Sequence, residues 1–379
     1  MAFSKIAAGG VDGGVGDSLR PNAKPIIING DMAVAQRGTS EASVTSTSYN
    51  TCDRMQLVCN TMGTHTITQE ALTSGAAYEA GFHNAWRLDV TTADSSPASG
   101  DVLYPRYKIE SQDLAMFKKG TSAAEAFTLA FWVKSNKTGN AQVNFYDIDN
   151  TRLCSGTYSI SSANTWEHKV INIAADTTGA WEDNNGEGLR IEWRLDSGSN
   201  ATSGTTPTAW EAQNAADRDV AGQLQIARST DNDWAITGIQ LEVGTFTSAT
   251  LPPFQHESYG ENLKRCQRYF WKADTSTNAR PFCMGRYWSA DNVGGLIYYP
   301  VKMRTAPTVT WVNPTNGWLS SGGSGSSNDY FTDIVTDAAT SESVVWYTSG
   351  TSADGTAGYG TIIYTGTAGG REMNCNAEL

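Results

Sequence analysis

The stretch Gln240–Trp271, QLEVGTFTSATLPPFQHESYGENLKRCQRYFW, divides the chain into two β-rich parts. It begins inside Ile239–Val243, where apolar and polar side chains alternate as in a strand with one buried face. Gly244 and the pair Pro252–Pro253 then end this strand, because proline cannot donate a hydrogen bond to a sheet. The sequence therefore predicts that one β-sheet closes at this point.

A short polar helix is predicted to follow, from Ser258 to Cys266. Ser258 is a suitable N-cap, and Glu261 three residues later gives the pattern of a capping box. An aromatic cluster then opens a second β-rich part of the chain; it consists of Tyr269, Phe270 and Trp271.

Residues 26–250 have the pattern of one β-sandwich, in which short alternating segments are separated by Gly-, Ser- and Asn-rich breaks. In Phe127–Ser135, for example, every second residue is a large apolar one, and Trp132 falls on the opposite face. The predicted strands are Arg54–Cys59, Thr64–Thr68, Ala85–Val90, Tyr104–Glu110, Phe127–Ser135, Gln142–Asp147, Thr157–Ser161, Glu167–Ile173, Gly188–Leu195, Gln223–Arg228 and Trp234–Val243.

The whole chain is therefore predicted to have four parts. They are a glycine-rich N-terminal segment (1–25), the sandwich (26–250), a linker with the short helix (251–271) and a β-rich C-terminal domain (272–379). The Ser- and Gly-rich run Ser320–Ser327 is predicted to be a flexible loop. Strands are predicted in the C-terminal domain at Phe282–Tyr287, Gly295–Pro300, Thr308–Val312, Tyr330–Val335, Ser343–Tyr347 and Thr361–Tyr364. The fold class is therefore all-β.

Composition excludes several function classes. The net charge is −12 and only 17% of residues are charged, so the chain lacks the basic surface that a non-specific nucleic-acid binder needs. No apolar run approaches the roughly 20 residues that cross a bilayer, which argues against membrane insertion. The N-terminus has no apolar core of the signal-peptide type, so we expect synthesis in a cytoplasm.

The six cysteines show no CxxC motif and no Cys/His cluster, so neither a structural zinc site nor another cofactor is predicted. We expect buried free thiols, since cytoplasmic synthesis disfavours disulfides. The cysteines are Cys52, Cys59, Cys154, Cys266, Cys283 and Cys375.

No catalytic motif of the nucleophile-elbow, Walker or zinc-protease type is present, and no enzyme activity is predicted. Asp147, Asp149 and Asn150 form a pattern that could ligate calcium, as do Asp231–Asp233. The alternative, which we favour for both, is a polar turn in which the side chains bind their own backbone. No metal site is therefore predicted.

Aromatic residues are the best sequence indication of a binding site, because sugars stack their C–H faces on tryptophan and tyrosine rings. A tryptophan in a loop can equally pack under its loop, and this alternative stays open. The candidates for glycan contact are Trp181, Trp210, Tyr287, Trp288, Trp318 and Tyr330.

Two segments carry a resemblance. Ile28–Met32, Ala35–Ser40 and Asp53–Arg54 are similar to the "NGDFxVAQRGTS … Y … DRW" opening of tail-fibre and receptor-binding proteins of tailed bacteriophages, with Met55 in place of the usual tryptophan. The order of QLEVG, SYGENL and CQRYF in Gln240–Trp271 resembles a junction in the same proteins. The middle strands, FTLAFWVKSN to ANTWEHKVINI, resemble those of a jelly roll of the carbohydrate-binding-module type.

The resemblance implies a virion protein: a tail fibre that attaches to other virion proteins through residues 1–25 and binds a host-surface glycan or receptor. It also implies a homotrimer, in which Tyr269, Phe270 and Trp271 would form an assembly joint near the axis. Two alternatives remain: a head-decoration protein, and a glycan-degrading tailspike enzyme.

Overall fold

The computed structural model describes residues 24–321, 329–348 and 355–379, and nearly all of its regular structure is antiparallel β-sheet. The all-β prediction is confirmed. The first compact unit ends at Asn262, and the second comprises Leu263–Glu378. The predicted linker, 251–271, is therefore divided between the two units, and the predicted anchor lies outside the described residues except for its last two.

The first unit is a sandwich of two sheets. One contains strands in the order β1-β4-β5-β14-β7-β10 and the other in the order β13-β9-β8-β11-β6-β3-β2, with β12 paired to β6. The strands are β1 Ser40–Val44, β2 Ser48–Tyr49, β3 Gln56–Asn60, β4 Thr64–Ala71, β5 Asn84–Thr92, β6 Val102–Glu110, β7 Phe127–Ser135, β8 Gly139–Asp147, β9 Arg152–Ile160, β10 Glu167–Ile173, β11 Glu187–Trp193, β12 Asp196–Ser197, β13 Glu211–Ala212 and β14 Asp233–Val243.

Alternation in β7 builds the core of this sandwich. Phe127, Leu129, Phe131 and Val133 all point inward and are buried, and they meet side chains such as Phe145 from the facing sheet. Such complete burial stabilises the fold by about 1.5–3 kcal/mol for each large apolar side chain.

Trp132 lies on the other face of β7, as its parity predicts. Its ring stacks on His168 of β10 with centroids 5.0 Å apart, and it packs against a second, smaller cluster that includes Phe82 and Trp166. The outer face of this sheet is thus covered by the chain itself.

The segments that carry the phage-fibre resemblance form a buried polar junction. The Asn29 side chain donates to the carbonyls of Val34 and Asp53, both at 2.9 Å, and accepts from the Val34 N–H at 2.8 Å. The next residue, Gly30, accepts a hydrogen bond from the N–H of Ile239 in β14 at 2.9 Å. The two resembling segments, about 200 residues apart in sequence, are therefore neighbours in the first unit.

The same junction includes the start of the helix. Asn262 accepts from the Asn29 N–H at 3.1 Å and donates to Asp31 at 3.2 Å. Met55, which replaces the usual tryptophan, is buried in the sandwich core. These residues serve the fold, so the resembling segments are not themselves a candidate binding surface.

The second unit contains a three-stranded sheet, ordered β15-β24-β18, and a seven-stranded sheet, ordered β20-β19-β23-β16-β17-β22-β21. Its core includes Trp318, Phe331, Trp346 and Met373. The strands are β15 Phe270–Lys272, β16 Pro281–Tyr287, β17 Val293–Tyr298, β18 Thr308–Val312, β19 Trp318–Ser321, β20 Asp329–Phe331, β21 Ile334–Ala339, β22 Ser343–Thr348, β23 Gly360–Thr365 and β24 Glu372–Asn376.

Among the described residues, helices are few and short. They are α1 Ala76–Glu79, α2 Ser199–Thr202, α3 Tyr259–Gln267 and three 3-10 turns, at Ser111–Phe117, Ala215–Asp217 and Ile226–Arg228. The predicted N-cap is confirmed, since Ser258 Oγ accepts from the Glu261 N–H at 3.3 Å. None of the helices in the part of the chain that the structure describes is long and apolar enough to span a bilayer.

Several predictions of local structure are wrong. Gln223–Arg228 is not a strand, because Gln225 has a left-handed backbone (φ 57°) and a 3-10 turn follows it. Tyr330–Val335 is divided between β20 and β21. Ser320 and Ser321 belong to β19, and the remainder of that predicted loop lies outside the described residues. All six cysteines are free, but Cys283 is half-buried while the other five are buried.

Candidate functional site

Two of the six predicted glycan contacts are buried in the core of the second unit. Trp318 donates through Nε1 to Asn313 at 2.9 Å, and the Tyr287 hydroxyl lies 2.8 Å from Ser320 Oγ. Both rings are about 1% exposed or less. They offer no face to a sugar, so both are removed from the candidate set.

Trp181 and Trp210 are half-buried and pack against the sandwich core. The ammonium of Lys119 lies between them, 5.5 Å from the centroid of Trp181 and 5.4 Å from that of Trp210. The same ammonium is 2.6 Å from Asp147 and 3.1 Å from Asp176. These two tryptophans therefore match the alternative interpretation, in which a loop tryptophan packs under its loop. Here they pack around a buried ion-pair cluster.

Burial opposes ionisation of Asp176, but hydrogen bonds from Arg152, Thr178 and Lys119 outweigh it and lower the pKa of this carboxyl. Asp147 also accepts from the backbone N–H of Asn150 at 3.1 Å, as in a polar turn. The Lys119 ammonium supplies the positive charge beside these carboxylates.

Two further carboxylates weighed as calcium ligands accept hydrogen bonds from protein donors. Asp149 accepts from Ser111 at 2.9 Å, and Asp233 accepts from Arg87 at 3.0 Å. Asn232 donates to the Ile226 carbonyl at 2.9 Å. No group of three or more metal-ligating side chains occurs within residues 24–321, 329–348 and 355–379.

The predicted assembly joint is mostly internal. Tyr269 and Phe270 are buried within a single copy of the chain, and Trp271 packs edge-to-face on Tyr299 at 5.7 Å. Tyr330 is partly exposed on β20, at the far edge of the seven-stranded sheet from β21. None of these four aromatic residues lines the groove described next.

Trp288, the remaining predicted candidate, lines an open cavity. It follows β16 in the hairpin that leads to β17, and its backbone N–H donates to the carbonyl of Asn292 at 2.9 Å. The ring is 57% exposed. It forms one wall of a groove of about 410 Å³, which is lined by Trp288, Ser289, Asn292, Asp337, Val345, Trp346 and Tyr347. We call this cavity the Trp288 groove.

Gly294 explains how Trp288 reaches its position. A Cβ on Gly294 would lie 2.7 Å from Trp288 Nε1 and 3.2 Å from the Cβ of Tyr347. The indole therefore folds over the bare backbone of β17 toward Tyr347 on the neighbouring strand, β22. Any larger residue at position 294 would push the ring away from the groove.

A β-bulge supplies the carboxylate of the groove. The pairing of β21 with β22 shifts between Thr336 and Ala338, which leaves Asp337 as the extra residue. Bulges re-aim side chains, and here the exposed Asp337 side chain lines the groove. Within the described residues, Asp337 has no ion pair, so its carboxylate is available to a ligand.

The groove thus combines two aromatic rings with an amide, a hydroxyl and a carboxylate. Asn292 donates to Ser289 at 3.2 Å, which holds both side chains beside the indole. Such a set can stack a sugar ring and bond its hydroxyl groups. The sequence-based candidates do not include Asn292, Gly294, Asp337 or Tyr347, although the aromatic character of Tyr347 is the kind of signal that singles out Trp288.

A scan against protein-family models finds no match, and a search of curated proteins finds none either. Similar solved structures include the enzymatically active domain of tailspike protein 4 from bacteriophage CBA120, at 14% identity and a TM-score of 0.29. That match covers 58% of this chain and 21% of the tailspike chain, so this protein corresponds to about a fifth of that chain's length.

Two further similar structures have names that mention sugars. A putative sugar-binding protein from Bacteroides thetaiotaomicron is 13% identical with a TM-score of 0.30, covering 58% of this chain and 100% of that chain. A family 11 carbohydrate-binding module from Clostridium thermocellum, in complex with a tetrasaccharide, is 7% identical with a TM-score of 0.25, covering 57% and 98%.

Proposed function

We propose that this protein is a non-catalytic fibre protein of a tailed-bacteriophage virion and that it binds a host-surface glycan in the Trp288 groove. The observation that carries the glycan-binding role is the combination of an exposed indole, a facing tyrosine and polar side chains in one open cavity. The virion role is supported by the sequence resemblance, whose residues form the polar junction around Asn29.

Binding of glycans by the full chain tests this proposal. The protein and its Trp288→Ala variant are applied to a glycan array, and the affinity for each retained glycan is measured by calorimetry. We expect Trp288→Ala to lower affinity about tenfold or more, since an aromatic platform contributes both buried area and stacking.

Tyr259→Ala is the matched control, because Tyr259 is equally exposed but lies on α3, outside the groove. It should leave glycan affinity unchanged. Equal affinity of Trp288→Ala and the unchanged protein would remove the groove from consideration. Release of reducing ends from the retained glycan would instead favour the tailspike-enzyme alternative.

The homotrimer is part of the same proposal. The face of the seven-stranded sheet that carries the groove also carries exposed apolar residues away from it: Met284 and Tyr298 are 76% and 72% exposed, and Leu296 and Ile362 accompany them. A continuous apolar patch of this kind marks an interaction surface. We propose that a second copy of the chain covers it.

Two measurements test the assembly and the location. Native mass spectrometry should give three times the chain mass of 40.7 kDa. Labelled protein in intact particles should appear on the tail by electron microscopy, whereas a distribution over the capsid would support the head-decoration alternative.

A further inference from the structure

Arg286 is an exposed positive charge beside the Trp288 groove. It lies on the outward face of β16, two residues before Trp288, and its guanidinium carbon is 4.7 Å from the centroid of the Trp288 ring. Within residues 24–321, 329–348 and 355–379 no carboxylate forms an ion pair with it. Arg280 is also exposed and has no ion pair among the described residues, so what distinguishes Arg286 is its position over the Trp288 ring.

The surroundings of Arg286 leave room for a ligand. The residues directly opposite it are Gly294 on β17 and Gly360 on β23, so neither neighbouring strand places a side chain directly across from it. A Cβ on Gly360 would meet no atom closer than 4.0 Å. The stacked guanidinium is therefore pre-organised, with donors that face open space.

A guanidinium held in this way matches a carboxylate, because its planar fork can make two parallel charge-assisted hydrogen bonds. Asp337 lies on β21, three strands away from β16, and lines the groove. The site therefore has an anion-binding group, Arg286, at one side. At the other side the Asp337 carboxylate can accept hydrogen bonds from sugar hydroxyl groups. An anionic group on the ligand would be repelled by Asp337 and attracted by Arg286, which fixes the direction in which a sugar chain lies.

We propose that the glycan is an acidic saccharide whose carboxylate binds Arg286, past the edge of the Trp288 ring, while a sugar ring occupies the groove. This inference rests on the proposed glycan-binding function and adds the substrate class. Arg286 is the specificity-determining residue, and Trp288 and Asp337 are the groups that hold the neutral part of the sugar.

The test uses the full chain with polygalacturonate, hyaluronate and polysialic acid, each compared with its carboxyl methyl ester, alongside neutral glycans. We expect at least one acidic glycan to bind, its methyl ester to bind about tenfold to a hundredfold more weakly, and binding to weaken with added salt. Arg286→Met should lower the affinity for the acidic form by the same factor and leave the affinity for the ester unchanged. Arg280→Met, an exposed arginine just before β16, is the control for the loss of charge.

The outcomes separate this inference from the proposed function. Binding of neutral glycans alone, or an equal effect of Arg286→Met on acid and ester, overturns the acidic-saccharide inference. In the second case Arg286 would only support the indole. If no glycan is retained, or if Trp288→Ala has no effect on affinity, the proposed function itself fails.

Discussion

Trp181 and Trp210 in the first unit and Trp288 in the second give the same sequence signal, a tryptophan between polar residues outside a predicted strand. Their surroundings differ completely. The first two enclose Lys119, which is bound to Asp147 and Asp176, and their rings rest on the core. Trp288 instead borders a cavity of about 410 Å³ and is stacked on an exposed arginine.

The difference teaches that an aromatic residue is a binding candidate only when its polar neighbours are still available. In the Lys119 cluster each charge is neutralised inside the protein, so the cluster stabilises a loop. In the Trp288 groove Asp337 and Arg286 have no ion-pair partner among the described residues, so these charges can bind a ligand. The following predictions test this contrast.

The largest effect is expected from Lys119→Met. Removing the ammonium leaves the buried carboxylate of Asp147 without its cation and Asp176 paired with Arg152 alone, which should lower the free energy of unfolding by about 3 kcal/mol. Urea unfolding followed by tryptophan fluorescence measures this loss. Because the pKa of Asp176 is lowered in the folded protein, the stabilisation by this cluster is present above the ordinary aspartate range and is lost as the pH falls below about 4.

Lys118→Met provides the matched control at the neighbouring position. Lys118 is exposed and pairs with Glu125 at 2.7 Å, and an exposed pair of this kind contributes less than about 1 kcal/mol. Equal losses from the two variants would show that Lys119 is not a buried structural cation, and the contrast between the two regions would disappear.

An intermediate effect is expected from Gly294→Ala. The new Cβ would lie 2.7 Å from Trp288 Nε1 and 2.8 Å from the Trp346 carbonyl oxygen, so it would displace the indole and strain the contact with β22, and glycan affinity should fall about tenfold while the first unit is unaffected. Gly369→Ala is the control, since Gly369 lies in the same unit outside the groove and a Cβ at this position would meet no atom within 4 Å. Calorimetry measures affinity, and thermal unfolding separates it from stability. Equal affinities of the two alanine variants would argue against Trp288 as the platform.

The sequence predicts the sandwich well where alternation is complete. The bounds of β7 and β10 match the predictions to the residue: every second side chain of β7 from Phe127 to Val133 is large and apolar, and both strands end at polar breaks. The strand prediction fails at Gln223–Arg228. The apolar pattern of this segment predicts a strand, but Gln225 adopts a left-handed backbone, which a regular strand does not accommodate. β19 was missed because its serines read as a loop, although they pair with β23.

The site was only partly predictable. Trp288 was named for its residue type, but Asp337 and Tyr347 come from strands about 50 residues further along and enter the groove through sheet order and a bulge. A single sequence reveals neither the order of the strands in the sheet nor the position of the bulge. Tyr287 and Trp318 show the opposite error. Their residue type predicts a glycan contact, but both side chains are buried in the core of the second unit.

The smallest effect distinguishes the two loop tryptophans from each other. Trp210 Nε1 donates to the Ala174 carbonyl at 2.8 Å, whereas the buried Nε1 of Trp181 has no hydrogen-bond acceptor among the residues that the structure describes. Trp210→Phe should therefore cost about 1 kcal/mol of unfolding free energy, and Trp181→Phe should be close to neutral, because it removes a donor that is already unsatisfied. Both variants should keep full glycan affinity, since neither ring lines the Trp288 groove. A loss of affinity in either would place a sugar against the Lys119 cluster and would overturn the contrast between the two regions.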